Sequence, residues 1–163
     1  MEANKFLEFI RITEKLNELD IVPLLMGSVG FEVVTGRSWH VRDLDIHIPG
    51  DKRGFEVAPE LSIYQWDNIV SLMEGLGYEL TDLHEHAFSQ DGSTVEFAAI
   101  DTLPDFAGIP LDELEMKVDG HIKYYLLNKE QYLRVYMASS KDSYRADKNN
   151  RKDFEKIAYL KQL

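Results

Sequence analysis

Two short stretches decide the fold of this chain: LLMGS at residues 24–28 and RDLDI at residues 42–46. The first is an apolar run that ends in glycine and serine, which indicates a short buried strand followed by a turn. The second belongs to residues 41–48, where polar and apolar side chains alternate with the period of a strand. Asp43 and Asp45 are therefore predicted to project side by side from one face, with Cα atoms roughly 6.6 Å apart.

The turn at Gly27 and Ser28 predicts a binding site for an anion. We expect a short helix at residues 29–34, with Ser28 as its N-terminal cap and Gly36 at its end. The N-terminus of a helix offers free backbone N–H groups and a favourable dipole to phosphate. Gly27 lets a phosphate approach the backbone, and the Ser28 hydroxyl is able to donate a hydrogen bond to it.

The aspartate pair has two interpretations. Two acids on a solvent-facing edge strand are common, and the pair taken alone favours that interpretation. Neighbouring carboxylates repel each other, however, unless one is protonated or a cation lies between them, and Mg²⁺ prefers such oxygen ligands. The turn shortly before Asp43 favours the second interpretation, because it predicts an anion site next to the cation site.

The remaining pattern predicts an α/β (α+β) domain, with a mixed β-sheet, flanking helices and a helical C-terminal segment. We expect one domain over residues 1–163, with its core at about 1–127 and the helical segment at about 128–163. Asp91-Gly92 is typical of a hairpin turn, and Asn128 with Gln131 is typical of a capping box. Periodicity predicts helices at 4–19, 67–76, 128–139 and from 150, strands at 78–81, 87–89, 94–100 and 122–127, and an irregular loop at 50–62.

Composition limits the classes of function. The chain has 163 residues, no cysteine and a net charge of −11, which argues against general binding to DNA. We find no signal segment or membrane-spanning run, so we expect a cytoplasmic protein that does not insert into membranes. Residues 141–163 carry seven basic and four acidic side chains. This basic segment is interpreted first as a solvated helix, and second as a contact for phosphate or a partner.

The chain resembles the minimal nucleotidyltransferases of the DNA polymerase β superfamily. In that family an apolar strand, Gly-Ser, a short helix and Asp-x-Asp on a strand follow in this order, as they do at residues 24–46. Members add a third carboxylate from a later strand, and Glu96 in TVEF at residues 94–97 matches it. The resemblance covers most of the chain from residue 21 onward, and residues 125–127 and 152–157 look like the closing segment of small antibiotic-modifying and toxin–antitoxin members. The chain departs from the pattern at Met26, where glycine is frequent, and at Glu96, where aspartate is more frequent.

This resemblance implies a Mg²⁺-dependent enzyme that transfers a nucleoside monophosphate, usually AMP from ATP, to a hydroxyl group. Two metal ions would neutralise the reacting phosphates, and Glu96 would also take the hydroxyl proton. The arginines would offset charge that builds on the phosphates. The residues implied are Asp43, Asp45 and Glu96 as catalytic residues and magnesium ligands, and Gly27, Ser28, Arg37 and Arg42 at the nucleotide.

Three hypotheses describe the function of the chain. The first is transfer to a small hydroxylated molecule such as an antibiotic, and the second is transfer to a protein or RNA partner, as in toxin–antitoxin pairs. The third is a noncatalytic nucleotide-binding or partner-binding domain on the same fold. Among the histidines, His47 is interpreted as a hydrogen-bonded structural residue. His84 and His86 would share a face on a strand, but the spacing places no third ligand of the kind that zinc requires beside them.

Overall fold

A seven-stranded mixed sheet, with strand order β3-β4-β5-β2-β1-β7-β6, forms the centre of the molecule. The computed structural model describes residues 2–35 and 43–141. It confirms the predicted α+β fold. The elements are α1 (Glu2–Glu18), β1 (Leu24–Met26), α2 (Gly27–Thr35), β2 (Asp43–Ile48), α3 (Pro59–Ser62), α4 (Trp66–Gly75), β3 (Glu79–Asp82), β4 (Ala87–Gln90), β5 (Ser93–Ala99), α5 (Leu103–Ala107), β6 (Glu115–Asp119), β7 (Ile122–Leu126) and α6 (Lys129–Lys141).

Strand direction brings the two key stretches of sequence together. β1 is antiparallel to β2, and its last residue, Met26, pairs with Asp45. β2 is parallel to β5 along its whole length, from Asp43 opposite Thr94 to Ile48 opposite Ala99. The end of β1 therefore lies beside the first half of β2, and β5 lies on the other side of β2.

The two faces of the sheet have different surroundings. Leu44, Ile46 and Ile48 on β2 are fully buried in a core that includes side chains of α1 and α4. A second apolar cluster, with Tyr132 of α6 and Leu103 of α5, packs near β1 on the opposite face. Each fully buried aliphatic side chain stabilises the fold by roughly 1.5–3 kcal/mol. The acid-bearing face of β2 and β5 is partly covered: Asp43 is exposed, whereas Asp45 and Glu96 are half-buried.

Local signals in the sequence are confirmed where side chains fix the backbone. Asp91 and Gly92 both have positive φ, 49° and 81°, in the turn between β4 and β5. Asn128 Oδ1 accepts a hydrogen bond of 2.8 Å from the Gln131 N–H, and Gln131 Oε1 accepts one of 3.0 Å from the Asn128 N–H. These reciprocal bonds form the predicted capping box at the start of α6.

Other predictions were wrong or incomplete. Residues 50–62 are not wholly irregular, since they contain a 3-10 turn at Gly54–Glu56 and the short helix α3. The predicted strand at 122–127 is present as β7, but its hairpin partner β6 was not predicted. No helix in the described parts of the chain is long and apolar enough to cross a membrane. Of the basic segment 141–163, residues 142–163 lie outside the described residues.

Candidate active site

The three predicted acids lie on one face of the sheet. Asp45 on β2 is directly opposite Glu96 on β5, and Asp43 is opposite Thr94. Residues opposite each other on neighbouring strands project from the same face, at a strand spacing of about 4.8 Å. Asp45 and Glu96 are therefore immediate neighbours, and Asp43 lies diagonally across from Glu96. Leu44 and Ile46 anchor the strand from the other face.

The surroundings of Glu96 disfavour its charged form. Glu96 is half-buried, and burial together with the negative charges of Asp45, Glu85, Asp43 and Asp82 raises its pKa from 4.5 to about 7. Burial is the largest cause, and Asp45 is the largest of the charges. A carboxyl group with this pKa exchanges its proton near neutral pH, which suits a general base.

The donor chemistry of this cluster fits Mg²⁺. Hard divalent cations prefer carboxylate oxygens, and a cation would relieve the repulsion that raises the pKa of Glu96. Within residues 2–35 and 43–141, no three acidic or histidine side chains converge into a ready-made metal site. The exposed side chain of Asp43 is free to turn toward its neighbours.

The glycine turn packs directly on one of these acids. Gly27 has φ +67°, and a Cβ atom there would lie 3.1 Å from Asp45 Cγ and closer still to Asp45 Oδ2. Glycine is therefore required both by the backbone conformation and by the close approach. The predicted phosphate turn and the predicted metal-binding strand are in contact.

The start of α2 differs from the prediction. The helix begins at Gly27 and not at residue 29, so Ser28 lies within its first turn and is not the residue before it. The first turn still presents backbone N–H groups without partners inside the helix. Arg37 and Arg42, the predicted phosphate-binding arginines, lie outside the described residues.

A cavity of about 800 Å³ opens over Asp45 and Glu96, and Asp43 is not among its lining residues. Gly27, Asp45 and Glu96 line it. His47, which follows Asp45 on the same face of β2, lines it as well. Its other walls come from the loop at residues 52–56, from residues 85–86 and from α5 and α6. This volume falls in the range of small-molecule and cofactor sites.

The histidines are placed differently from the predictions. His47 Nδ1 is buried without a hydrogen-bond partner in the described part of the chain, so the prediction of a hydrogen-bonded residue was wrong at this nitrogen. Burial lowers the pKa of His47 to about 4, which keeps the ring neutral at physiological pH. His84 and His86 lie in a turn before β4, and only His86 is buried.

Several residues of the cavity were not found from the sequence. Phe55 and Phe106 are large apolar side chains, 59% and 43% exposed, and both line the cavity. Glu85 and His86 line it as well. Periodicity could not identify them, because they lie in a 3-10 turn, a five-residue helix and a turn. An aromatic side chain inside an irregular polar loop is the only sequence signal that points to Phe55.

Two solved structures resemble the fold of this chain. The fold is similar to the solution structure of the antibiotic-resistance factor ANT(2'')-Ia, with a TM-score of 0.60 and 13% identity over 98% of this chain and 90% of that one. It is also similar to the crystal structure of an antigenic nucleotidyltransferase-like protein from Paracoccidioides brasiliensis, with a TM-score of 0.57 and 18% identity over 91% of this chain and 71% of that one. The molecule therefore has a nucleotidyltransferase-like fold.

The sequence also places the chain in a family. It belongs to the same family as YnaI of Bacillus subtilis (strain 168), an uncharacterized protein that is 40% identical over 157 residues. The match covers 96% of this chain and 95% of YnaI. No protein-family model matches the chain.

Proposed function

We propose that this protein is a Mg²⁺-dependent nucleotidyltransferase that transfers AMP from ATP to a hydroxyl group of an acceptor. One observation supports this function above the others: Asp45 is in close contact with the Gly27 turn and directly opposite Glu96. A phosphate held at the turn would thus lie next to the metal-binding acids. The nucleotidyltransferase-like fold is consistent with this chemistry.

Each residue has a defined task in this proposal. The first turn of α2 binds the phosphates of ATP through its N–H groups and its dipole, and Gly27 allows their approach. Asp43, Asp45 and Glu96 would hold the magnesium ions. Bound Mg²⁺ supplies charge neutralisation for the phosphates and for the departing pyrophosphate.

The proposed transfer forms one bond and breaks one bond at the α-phosphorus of ATP. The acceptor oxygen forms a bond to the α-phosphorus of ATP, and the bond between that phosphorus and the bridging oxygen to the β-phosphate breaks. Glu96 takes the proton of the acceptor hydroxyl, and pyrophosphate leaves with the bonding electron pair. Arg37 and Arg42 remain the proposed groups that offset charge on the phosphates.

Nucleotide binding is tested by thermal unfolding with each of the four nucleoside triphosphates, with and without Mg²⁺. A ligand that binds only the folded form stabilises it by about 2.7 kcal/mol at a hundredfold excess over Kd. We expect the largest increase in Tm with ATP and Mg²⁺ together, and a smaller one with the metal alone. The absence of any increase at millimolar concentration would count against a nucleotide site.

Catalysis is tested with Asp45→Asn, which keeps the shape of the side chain and removes one negative charge. We expect unchanged or higher stability without metal, because repulsion with Glu96 is reduced, and loss of pyrophosphate release in a screen of acceptors. Asp119→Asn, on the fully exposed strand β6, is the matched control and should keep wild-type activity. If Asp45→Asn binds ATP and releases pyrophosphate at the wild-type rate, the acid has no catalytic role.

A further inference from the structure

The order of the strands gives the cavity two chemically different ends. Gly27 follows β1, Asp45 lies on β2 and Glu96 on β5, and β4 lies beyond β5 in the sheet. The phosphate turn and the third acid therefore lie on opposite sides of Asp45. The acceptor approaches from the side of Glu96, where its proton is taken, so it lies toward β4.

A flat aromatic wall stands on this β4 side. The Phe55 ring stacks on His84 and His86, with centroids 5.3 and 6.3 Å apart and interplanar angles of 20° and 24°. Trp66 packs edge-on against the buried His86 ring, with ring centroids 4.8 Å apart. Phe55 itself is more than half exposed and lines the cavity. It presents a supported ring surface to a ligand.

His86 is the buried polar residue of this wall, and its ring makes a hydrogen bond to the backbone. His86 Nε2 lies 2.8 Å from the carbonyl oxygen of Pro59. Because a carbonyl only accepts, the proton of a neutral His86 ring is on Nε2. Nδ1 then keeps a lone pair, and no donor in the described residues reaches it.

Charge on the β4 side is predominantly negative. Glu56 and Glu85 line the cavity, and Asp82 and Glu85 lie close enough to raise the pKa of Glu96. The basic groups of the same wall are Lys52 and Arg53, and the Arg53 guanidinium is bound to Asp51 at 2.8 and 3.0 Å. His84 Nδ1 lies 3.5 Å from Glu85 and pairs with it only when protonated.

We propose that the acceptor is a hydroxyl-bearing molecule with an aromatic ring and a cationic amine, its ring against Phe55 and its amine toward Glu85. An aromatic ring gains both area and favourable geometry on a supported ring face, and an ammonium group gains from the acids and from the π-face. The role as acceptor rests on the proposed function, whereas the ligand class rests only on the wall of the cavity.

The probe for this test is para-(hydroxymethyl)benzylamine, measured by NMR titration without nucleotide. Its two analogues are para-methylbenzyl alcohol, which lacks the amine, and the cyclohexane analogue, which lacks the aromatic ring. We expect the probe to bind about fivefold more tightly than either analogue. Equal affinity for the cyclohexane analogue would remove the aromatic requirement, and no binding of the probe would overturn the ligand class.

Variants locate the probe on the wall. We expect Phe55→Ala to weaken binding about five- to tenfold, and Phe55→Leu, which keeps apolar volume, to weaken it nearly as much. Glu85→Gln should weaken the probe and leave para-methylbenzyl alcohol unchanged. Leu61→Ala removes another exposed apolar side chain, 68% exposed and outside the cavity lining, and is the control. Wild-type affinity in both Phe55 variants would overturn the placement.

The test separates this inference from the proposed function. Stabilisation by ATP and Mg²⁺ without binding of the probe would refute the ligand class alone. Binding of the probe that depends on Phe55, without stabilisation by any nucleotide, would refute the transferase and leave the ligand site in place. Pyrophosphate release that requires the probe and is lost in Phe55→Ala would support both.

Discussion

Substitution of Gly27 by alanine tests whether the glycine turn must lie against Asp45. The substitution adds one methyl group at a position with φ +67°. An L-residue other than glycine pays about 1–2 kcal/mol in this left-handed region. The added Cβ would also overlap Asp45 Oδ2 and lie 3.1 Å from Cγ.

The overlap with Asp45 sets the size of the further effect. Restoring ordinary contact requires a displacement of about 1 Å between the turn and the carboxylate, which costs about 1–3 kcal/mol in a packed site. We therefore expect Gly27→Ala to lower the free energy of unfolding by roughly 2–5 kcal/mol. A displacement of this size is expected to slow transfer by about a hundredfold.

Gly120→Ala is the matched control. Gly120 has φ +63° in the turn between β6 and β7, and a Cβ there would meet no atom within 4 Å. Gly120→Ala should lower the free energy of unfolding only by the roughly 1–2 kcal/mol that backbone strain costs. Gly27→Ala in an Asp45→Ala background, where the contact is absent, should lower it by about the same amount. Urea unfolding measures stability and pyrophosphate release measures transfer. Equal destabilisation by Gly27→Ala and Gly120→Ala, with transfer unchanged in both, would refute the role of this contact.

Three further predictions concern stability. Because the pKa of Glu96 is raised from 4.5 to about 7, the folded protein binds more protons than the unfolded chain in this window, so stability falls as pH rises through it. Glu96→Gln should remove this fall in the free energy of unfolding, measured with urea, and be about 1 kcal/mol more stable than wild type at pH 8. This value is reduced because solvent screens the half-exposed carboxyl group. A pH dependence of stability that is the same in Glu96→Gln and in wild type would contradict the shift. A Cβ on Gly30 would overlap the Tyr132 hydroxyl and lie 2.8 Å from the Leu25 carbonyl oxygen, so Gly30→Ala should cost about 3 kcal/mol. Tyr132→Phe also loses the hydrogen bond to that carbonyl, so the overlap is measured as the smaller cost of Gly30→Ala in the Tyr132→Phe background; calorimetric melting of all four proteins gives it, and an equal cost in both backgrounds would refute the overlap. Asn128→Ala should cost about 1 kcal/mol, since it breaks the bond from the Gln131 N–H, and a loss below the error of the denaturation curve would show that the cap is dispensable.

The site could be predicted from the sequence where periodicity and turn chemistry are strong. Alternation placed Asp43 and Asp45 on one face, and the resemblance selected Glu96 out of many acids. The structure places these three side by side. Their roles as metal ligands and catalytic residues stay predictions.

The missed parts share a physical cause. β6 is exposed along its whole length, so it lacks the buried face that marks a strand. α5 begins at Leu103 and is only five residues long, so it is too short to show helical periodicity. His84 and His86 alternate like strand residues, but His86 has φ +52° in a turn. None of these segments carries the apolar periodicity from which helices and strands are predicted.

The parallel pairing of β2 with β5 also has a consequence for folding. Residues 49–92 must be closed into a loop before Glu96 reaches Asp45, whereas β1 and β2 are neighbours along the chain. Pairings that close long loops lose chain entropy before their stabilising contacts form, and they therefore slow folding. The acidic cluster is complete only once β5 has joined the sheet, so an intermediate that holds β1 and β2 alone would carry the turn and both aspartates but have no third carboxylate.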